Sequence, residues 1–530
     1  MSTAQRPPNF VLFITDQQRA DHVGCYGNPV VRTPNLDALA ARGWRAQRCY
    51  VASPICMPNR ASLLTGRLPS AHGARHNGVP LPLSQTTFVE RLRAAGWRTA
   101  LVGKGHLQNI TGTKPVWPRP TDPPTDGEAQ RPEAGRFDQE SEPAWRADPD
   151  FGMSMPYYGF DRVDLAINHG DTAGGHYRRW LEREHPEVAA LTGPEHALPT
   201  PDFELAKARQ AWRSRVPEAL STTSWVAERT CHAIAEAVQA GQPFFVQCSF
   251  PDPHHPFTPP GRFWDLHKPE DMALPASFHA RTSGPAPHRD WLHAERDAGR
   301  ALKHTPAPFG ATEREVREAL ALTYGSIAHI DEAVGRVLAQ LRALGLERDT
   351  VVLFTSDHGD YYGDHQLLWK GPIHYQGVIR VPLIWADPAA APAGATDALC
   401  STVDIAPTVL ARAGLLPFNG IQGRSLLALI DGGADASPRP GVLIEEEGQR
   451  VMFGFDARVR MRTWQTARHR LSVYEGADWG ELYDLQDDPH ECHNRWDDPA
   501  ALALRDDLLH QMVRAMIAHA DSSPNPTALA

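Results

Sequence analysis

Cys56, Pro58 and Arg60 stand at alternate positions in Ser53-Pro54-Ile55-Cys56-Met57-Pro58-Asn59-Arg60, which runs on through Ala61-Ser62-Leu63-Leu64 to Thr65-Gly66-Arg67. A thiol between a predicted strand and a predicted helix is either a reactive group at a helix start or a small buried hydrophobe, as free cysteines commonly are. Two apolar runs deliver acids at their ends. Phe10-Val11-Leu12-Phe13-Ile14 leads to Thr15-Asp16-Gln17, and Thr350-Val351-Val352-Leu353-Phe354-Thr355 leads to Ser356-Asp357-His358. Carboxylates gathered from two strand ends are what a hard divalent cation needs. Basic and acid–base side chains follow: Lys104 and His106 in Leu101-Val102-Gly103-Lys104-Gly105-His106-Leu107, His254 and His255 in Asp252-Pro253-His254-His255-Pro256, and Lys370 and His374 after Gly363.

The segment around Cys56 resembles the signature of type I sulfatases, whose C-x-P-x-R core is read by a formylglycine-generating enzyme and whose trailing T-G-R completes the pattern. The resemblance implies that Cys56 is oxidised to Cα-formylglycine, that its hydrate is the nucleophile, and that Arg60 holds it. It implies one divalent metal ion, Ca2+ or Mn2+, on Asp16, Asp357 and His358, with Gln17 as a weaker ligand and the modified Cys56 offering an oxygen. Lys104 and His106 resemble the family's G-K-x-H-L motif, with Lys104 neutralising the ester's non-bridging oxygens and His106 serving the nucleophile. His254 is placed like the family's leaving-group acid, although the adjacent His255 could take that role. Gly363 to Pro372 and Arg380 to Ile384 resemble the segment carrying a second substrate lysine, which makes Lys370 the candidate. His374 close by is either a substrate contact or a surface histidine. Glu481 to Glu491 is similar to the acidic strand and turn near the end of sulfatases, so the resemblance spans nearly the whole chain.

Two positions depart from the commoner sulfatases. Gln17 stands where a second Asp is usual and His358 where an Asn is usual, and a nitrogen ligand suits Mn2+ or Zn2+ better than Ca2+. These two, and Asn77 in Arg75-His76-Asn77-Gly78 as a substrate contact, look more like phosphonate monoester hydrolases. Lys104 and His106 point back to sulfate esters. The expected activity is metal-dependent hydrolysis of small-molecule sulfate esters, with phosphonate monoesters or phosphodiesters as the alternative substrates. A non-catalytic binding protein on the same scaffold is the reading from another class.

The elements that must position these groups are legible from hydrophobic pattern. Continuous apolar runs suit strands buried on both faces of a parallel sheet. Arg98 to Val102 and Phe244 to Ser249 join the two runs above as strands. Helices are predicted from Thr33 to Gly43, Phe88 to Ala95, Thr222 to Ala240, Thr312 to Leu344 (one long or bent helix) and Asp404 to Ala413. Strands alternating with helices predict an α/β layer fold, a large, mostly parallel mixed sheet sandwiched by helices. Past residue 401 the short runs Val442 to Glu445, Arg458 to Trp464 and Arg470 to Tyr474, with a helix from Pro499 to Ala518, predict a smaller antiparallel sheet with a helix on it. The expected organisation is a catalytic domain over 1–400 and a C-terminal α+β subdomain over 401–530. The Pro-rich stretches at about 114–150 and 269–309 lack periodicity and read as insertions, of the kind that serve as lids or oligomer contacts, leaving room for a homo-oligomer.

A formal net charge of −10 with both signs interspersed argues against a nucleic-acid partner. An anionic ester must then be drawn in by a locally basic pocket. Seven scattered cysteines without a C-x-x-C pair predict neither a disulfide framework nor a zinc site. No apolar run is long enough for a membrane span or signal h-region, so the expectation is a soluble cytoplasmic protein with no membrane contact.

Overall fold

Every residue of Asn9–Thr15 is buried, the environment that a continuous apolar run requires. The computed structural model describes residues 7–113, 129–131, 133–303, 307–392, 394–433 and 438–528. In chain order its strands are β1 (Asn9–Thr15), β2 (Trp44–Tyr50), β3 (Arg98–Gly103), β4 (Arg162–Ile167), β5 (Phe244–Ser249), β6 (Phe309–Gly310), β7 (Thr350–Ser356), β8 (Leu367–Leu368), β9 (Arg380–Ala386), β10 (Gly394–Ser401), β11 (Val442–Val451), β12 (Arg458–Gln465), β13 (His469–Tyr474) and β14 (Gly480–Asp484). Eight of them form one sheet in the order β10-β2-β9-β7-β1-β5-β3-β4. All neighbours are parallel except β9, which runs antiparallel to both β2 and β7.

Successive side chains of a strand face opposite sides of its sheet, and β1 shows the consequence. Phe10, Leu12 and Ile14 enter one core with Leu63, Leu64, Phe88 and Val409, whereas Val11 and Phe13 enter the other with Val226, Ile234, Ile330 and Val334. The first core lies under the helices Cys56–Thr65, Phe88–Ala94 and Ile405–Arg412, and the second under Pro34–Ala41, Thr222–Gln239 and Glu313–Ala343. The expected sandwich of helices about a mostly parallel sheet is therefore what the chain forms. The second sheet, β11-β12-β13-β14, is wholly antiparallel. One of its faces packs Leu443, Trp464, Leu471 and Leu482 against Leu508, Met512 and Ala515 of the terminal helix Leu502–Ala518.

The segment expected as one long or bent helix is a single helix, Glu313–Ala343, opened by a reciprocal capping box between Thr312 and Glu315. The two stretches read as structureless are not wholly so. Within the first, of which residues 114–128 and 132 lie outside the described residues, Glu142–Ala147 is helical with only Trp145 buried, too short to show a period. The second contains Pro287–Asp297, an eleven-residue helix that buries just His288 and Leu292, so its charged faces hide the apolar stripe. The strands β2, β4, β9 and β10 escaped the pattern reading. β10, an edge strand, is largely exposed over its first five residues, and β2 mixes arginines with buried positions. Among the described residues no helix is long and apolar enough to cross a membrane.

Candidate active site

Parallel strands end on a common edge, which is where open α/β sheets place their ligands. β1 delivers Asp16 and Gln17 there, β7 delivers Asp357 and His358, β3 leads to Lys104 and His106, β5 to His254, and β4 to His169. Between them sits the start of the helix Cys56–Thr65. That helix has no side-chain cap of its own from Ile55. Instead Asn77 Oδ1 accepts the Met57 amide at 3.1 Å, satisfying one of the amides a helix start leaves over.

Cys56 is 2 % exposed and lies at the point of convergence. Its Sγ is 2.9 Å from Lys370 Nζ, 3.2 Å from His358 Nε2 and 3.9 Å from Asp16 Oδ1. Burial and the Asp16 charge push the thiol up, but Lys370, Lys104 and His358 outweigh them and hold it well below the ordinary thiol range. Position 56 is thus built for an anionic or electron-rich atom.

Asp16, Cys56, Asp357 and His358 each offer a ligand atom, all within 4.8 Å of one another. Gln17, at a left-handed φ of 66°, donates its backbone amide to Asp357 Oδ1 at 3.1 Å, and its Nε2 meets His255 Nδ1 at 3.1 Å. Gln17 Oε1 remains buried without a well-formed hydrogen bond, the Tyr362 hydroxyl being a polar neighbour. A buried amide oxygen left over beside two carboxylates and an imidazole fits a divalent cation of hard to borderline character. Arg60 braces the same carboxylates. Its Nε donates to Asp357 Oδ2 at 2.8 Å, an Nη lies 3.5 Å from Asp16 Oδ2, and the other Nη donates to Ser249 Oγ at 2.8 Å. Burial opposes charge on Asp16, yet Lys104, His254, His169 and His358 keep it well below the usual carboxylate range. Burial also opposes a charged ring at 358, and Asp357, Cys56 and Asp16 overcome it, pushing His358 up to about 9.

The two lysines touch different members of the cluster. Lys104 Nζ donates to Asp16 Oδ2 and lies 2.7 Å from His169 Nε2, and Lys370 Nζ lies 2.6 Å from His358 Nε2 and 3.2 Å from His254 Nε2. His254 turns its Nδ1 to the backbone oxygen of His255, which leaves Nε2 facing Lys370. His106, at φ 58°, keeps a buried Nδ1 without a partner, and its backbone amide donates to Glu140 at 2.5 Å. Burial, with the charges of Lys104, Arg60 and Lys370, holds its ring well below the usual histidine range against the opposing pull of Asp16. His374 does not join the cluster as a free nitrogen. It is fully buried, neither a surface residue nor one with a nitrogen to spare, because Nδ1 meets Thr463 at 2.8 Å and Nε2 meets Glu446 at 3.0 Å. It ties the small sheet to the Lys370 loop.

Three participants were not legible from sequence. His169 contacts Lys104 and Asp16, Glu140 accepts the amides of His106 and Leu107, and Trp369 stacks on His255 with centroids 3.8 Å apart. The one signal for His169 was its place in Ala166-Ile167-Asn168-His169-Gly170, an apolar run ending in a polar pair and glycine as at Asp357-His358-Gly359.

A family model, Sulfatase, matches residues 8–129 and 207–415, more than half of the chain, and a second, N-sulphoglucosamine sulphohydrolase, C-terminal, matches 363–518. The chain therefore belongs to the sulfatase family of sulfuric ester hydrolases. It is 29% identical over 436 residues to an arylsulfatase of Clostridium perfringens, covering 80% of this chain and 78% of that one. It is also 29% identical over 542 residues to the multifunctional alkaline phosphatase superfamily protein PehA of Trinickia caryophylli, covering 97% and 96%. Among solved structures, the phosphonate monoester hydrolase of Agrobacterium radiobacter superposes with a TM-score of 0.76 at 25% identity, over 99% of this chain and 98% of that one.

Proposed function

We propose that this enzyme hydrolyses sulfate monoesters of small alcohols or phenols with residue 56, as Cα-formylglycine, supplying the nucleophile. The observation that carries the reading is the crowding of Lys370, His358 and Asp16 within 3.9 Å of Cys56 Sγ at a helix start. Hydrated formylglycine has two hydroxyls, so one can attack sulfur while the other later releases sulfate, avoiding a second displacement at sulfur. Asp16, Asp357, His358 and Gln17 would hold one divalent cation, with an oxygen on residue 56 as a further donor. Such an ion, when bound, contributes Lewis-acid charge toward the transferring group. The His358 nitrogen favours Mn2+ over Ca2+ in this donor set.

The remaining steps fall to side chains. Lys104 and Lys370 face the pocket from two sides and offset charge developing on the non-bridging oxygens. Arg60 stays on Asp357 and Asp16, where it keeps the carboxylates aimed. His254 Nε2 is the atom turned toward the pocket, and from it a proton passes to the departing oxygen as the S–O bond breaks. Burial, His169, His255 and Lys370 hold His254 well below the usual histidine range in the absence of substrate. An anionic ester seated between the lysines offsets that field, so His254 gains its proton together with the substrate. His106, with its unpartnered Nδ1, is the base for the proton lost when sulfate leaves.

A second reading, hydrolysis of phosphonate monoesters or phosphodiesters, is favoured by Gln17 and His358 in the metal cluster and by the likeness to the Agrobacterium enzyme. Asn77 spends its Oδ1 on the Met57 amide, so a substrate contact from it would come through its side-chain NH2. The test is a comparative panel of an aryl sulfate, an aryl phosphonate monoester and a phosphodiester on protein made with a formylglycine-generating enzyme. Highest kcat/KM on the sulfate supports the first reading. Highest kcat/KM on either phosphorus ester selects the second, and no turnover of any of them sinks both.

A further inference from the structure

Four aromatic rings from three segments form one continuous stack beside the reacting position. His169 lies on His254 with centroids 3.8 Å apart and planes 9° from parallel, His254 lies on His255 at 4.1 Å and 28°, and His255 lies on Trp369 at 3.8 Å and 23°. His254 is therefore an inner ring of the stack. Its neighbours fix the plane in which it can turn, and the bond from Nδ1 to the His255 backbone oxygen fixes which nitrogen faces Lys370.

His169 is the outer ring, and its edge has a second task. Nε2 meets Lys104 Nζ at 2.7 Å and lies 3.4 Å from Asp16 Oδ2. An ammonium can only donate, so Nε2 is the bare, accepting nitrogen. The residue is held from behind. It follows β4 through Asn168, a non-glycine residue at φ 67° whose side chain bonds Glu142, and precedes Gly170, whose carbonyl accepts the Thr222 hydroxyl at 3.1 Å. His169 is thus carried between a left-handed Asn168 and Gly170, each bonded to a residue of another segment.

We infer that His169 is a positioning residue for leaving-group departure: its face holds the ring of His254 in the plane from which the proton is delivered, while its edge holds Lys104. This rests on the sulfate ester reading, in which His254 protonates the leaving oxygen. Proton delivery matters most where the leaving group is a poor one, so misaiming His254 has a signature that loss of packing lacks.

The experiment is a plot of kcat/KM against leaving-group acidity for a series of aryl sulfates, measured on the formylglycine-bearing, metal-loaded enzyme and on two variants. His169→Asn keeps a polar side chain but removes the stacking face. His169→Phe keeps the face but removes the acceptor for Lys104. The expected result is that H169N loses about 10- to 100-fold more activity on phenols of high pKa than on 4-nitrophenyl sulfate. H169F should fall by a similar factor across the series with the slope of the wild type. An H169N slope parallel to the wild type overturns the inference. A wild type inactive on every sulfate refutes the sulfate reading instead, and the slope is then taken on the aryl phosphonate series. The crystal structure of H169N gives a readout independent of turnover: a His254 ring turned out of its wild-type plane supports the role, and an unmoved ring overturns it.

Discussion

Lys370 Nζ reaches within 2.9 Å of Cys56 Sγ across 314 positions of sequence. The same ammonium touches the Nε2 atoms of His358 and His254. One cation thus adjoins the candidate nucleophile, a candidate metal ligand and the candidate acid. An anion at residue 56 would lie against the same ammonium that touches His254.

The identity of residue 56 is directly measurable. Mass spectrometry of the peptide spanning it should show a species about 18 Da lighter than cysteine, as expected for oxidation to the aldehyde. Cys56→Ala should lower kcat/KM by at least about 10³-fold, the scale on which removal of a nucleophile registers. A fully active protein carrying unmodified cysteine would sink the aldehyde mechanism.

Removing either lysine should reduce turnover of the aryl sulfate by about 10²- to 10³-fold, the usual effect of deleting one donor aimed at developing charge. K370A should also move the basic limb set by His254 to higher pH, because Lys370 is one of the groups that hold that ring neutral and its loss lets the ring keep its proton longer. Full pH–rate profiles of K104A and K370A test this, and near-wild-type kcat in either variant would contradict the assigned role.

Metal content should follow the donor set. Asp357→Ala leaves the Gln17 amide and Arg60 Nε without their acceptor as well as removing a ligand, so purified D357A should carry far less than one equivalent of metal. Gln17→Asp adds a charged oxygen and should shift preference from Mn2+ toward Ca2+. Elemental analysis and competition titrations read both, independently of activity.

Stability should carry a pH signature away from the site. Asp331 accepts the amides of Asn35 and Leu36 and the Asn35 side chain, capping the helix Pro34–Ala41. Burial pushes its carboxyl up to about 6. A folded-state value raised above the unfolded one favours folding most below about pH 4, and that contribution is lost as pH rises through 6. Each tenfold change in proton affinity between the folded and unfolded chain is worth roughly 1.4 kcal/mol, so the loss is on the order of 3 kcal/mol. Urea unfolding of Asp331→Asn, which cannot ionise, should fall less between pH 4 and 6.5 than that of the wild type. Equal slopes would refute the assignment.

Arg470 should prove a structural keystone of the small sheet. It is fully buried, bonded to Glu491, to Glu481 at 3.1 Å and to Ser472 at 2.8 Å, with its guanidinium 4.7 Å from the Tyr483 ring centroid. Arg470→Met leaves two buried carboxylates facing each other and should cost about 3–5 kcal/mol. Replacing Glu481 by Gln in the same chain should restore part of that loss, and equilibrium unfolding of the single and double variants measures it.

Local pattern was enough for the central elements. The apolar runs before Asp16 and Asp357 suited doubly buried strands, and the motif from Cys56 to Arg67 marked the candidate nucleophile and its arginine. Lys104, His254 and Lys370 were legible because each sits in a short motif with its own spacing. What pattern could not carry was pairing. Edge strand β10 and the arginine-bearing β2 lack an apolar signature because one side of each meets solvent or charge. His374, read from its place in the chain, proved to be spent on Glu446 and Thr463, a pairing set by how β11 and β12 lie against the Lys370 loop.

By itself, then, the sequence determined which residues can carry charge, nucleophile and protons, because those are properties of side-chain chemistry and spacing along a few turns. Tertiary structure alone decided which of them face one another. His169 and Glu140 enter from segments far from any motif, and the stack that orients His254 exists only because the ends of β4 and β5 lie at one edge of a parallel sheet and Trp369, just past β8, is laid against them. Proximity across hundreds of residues follows from strand order and twist, which no local window of sequence contains.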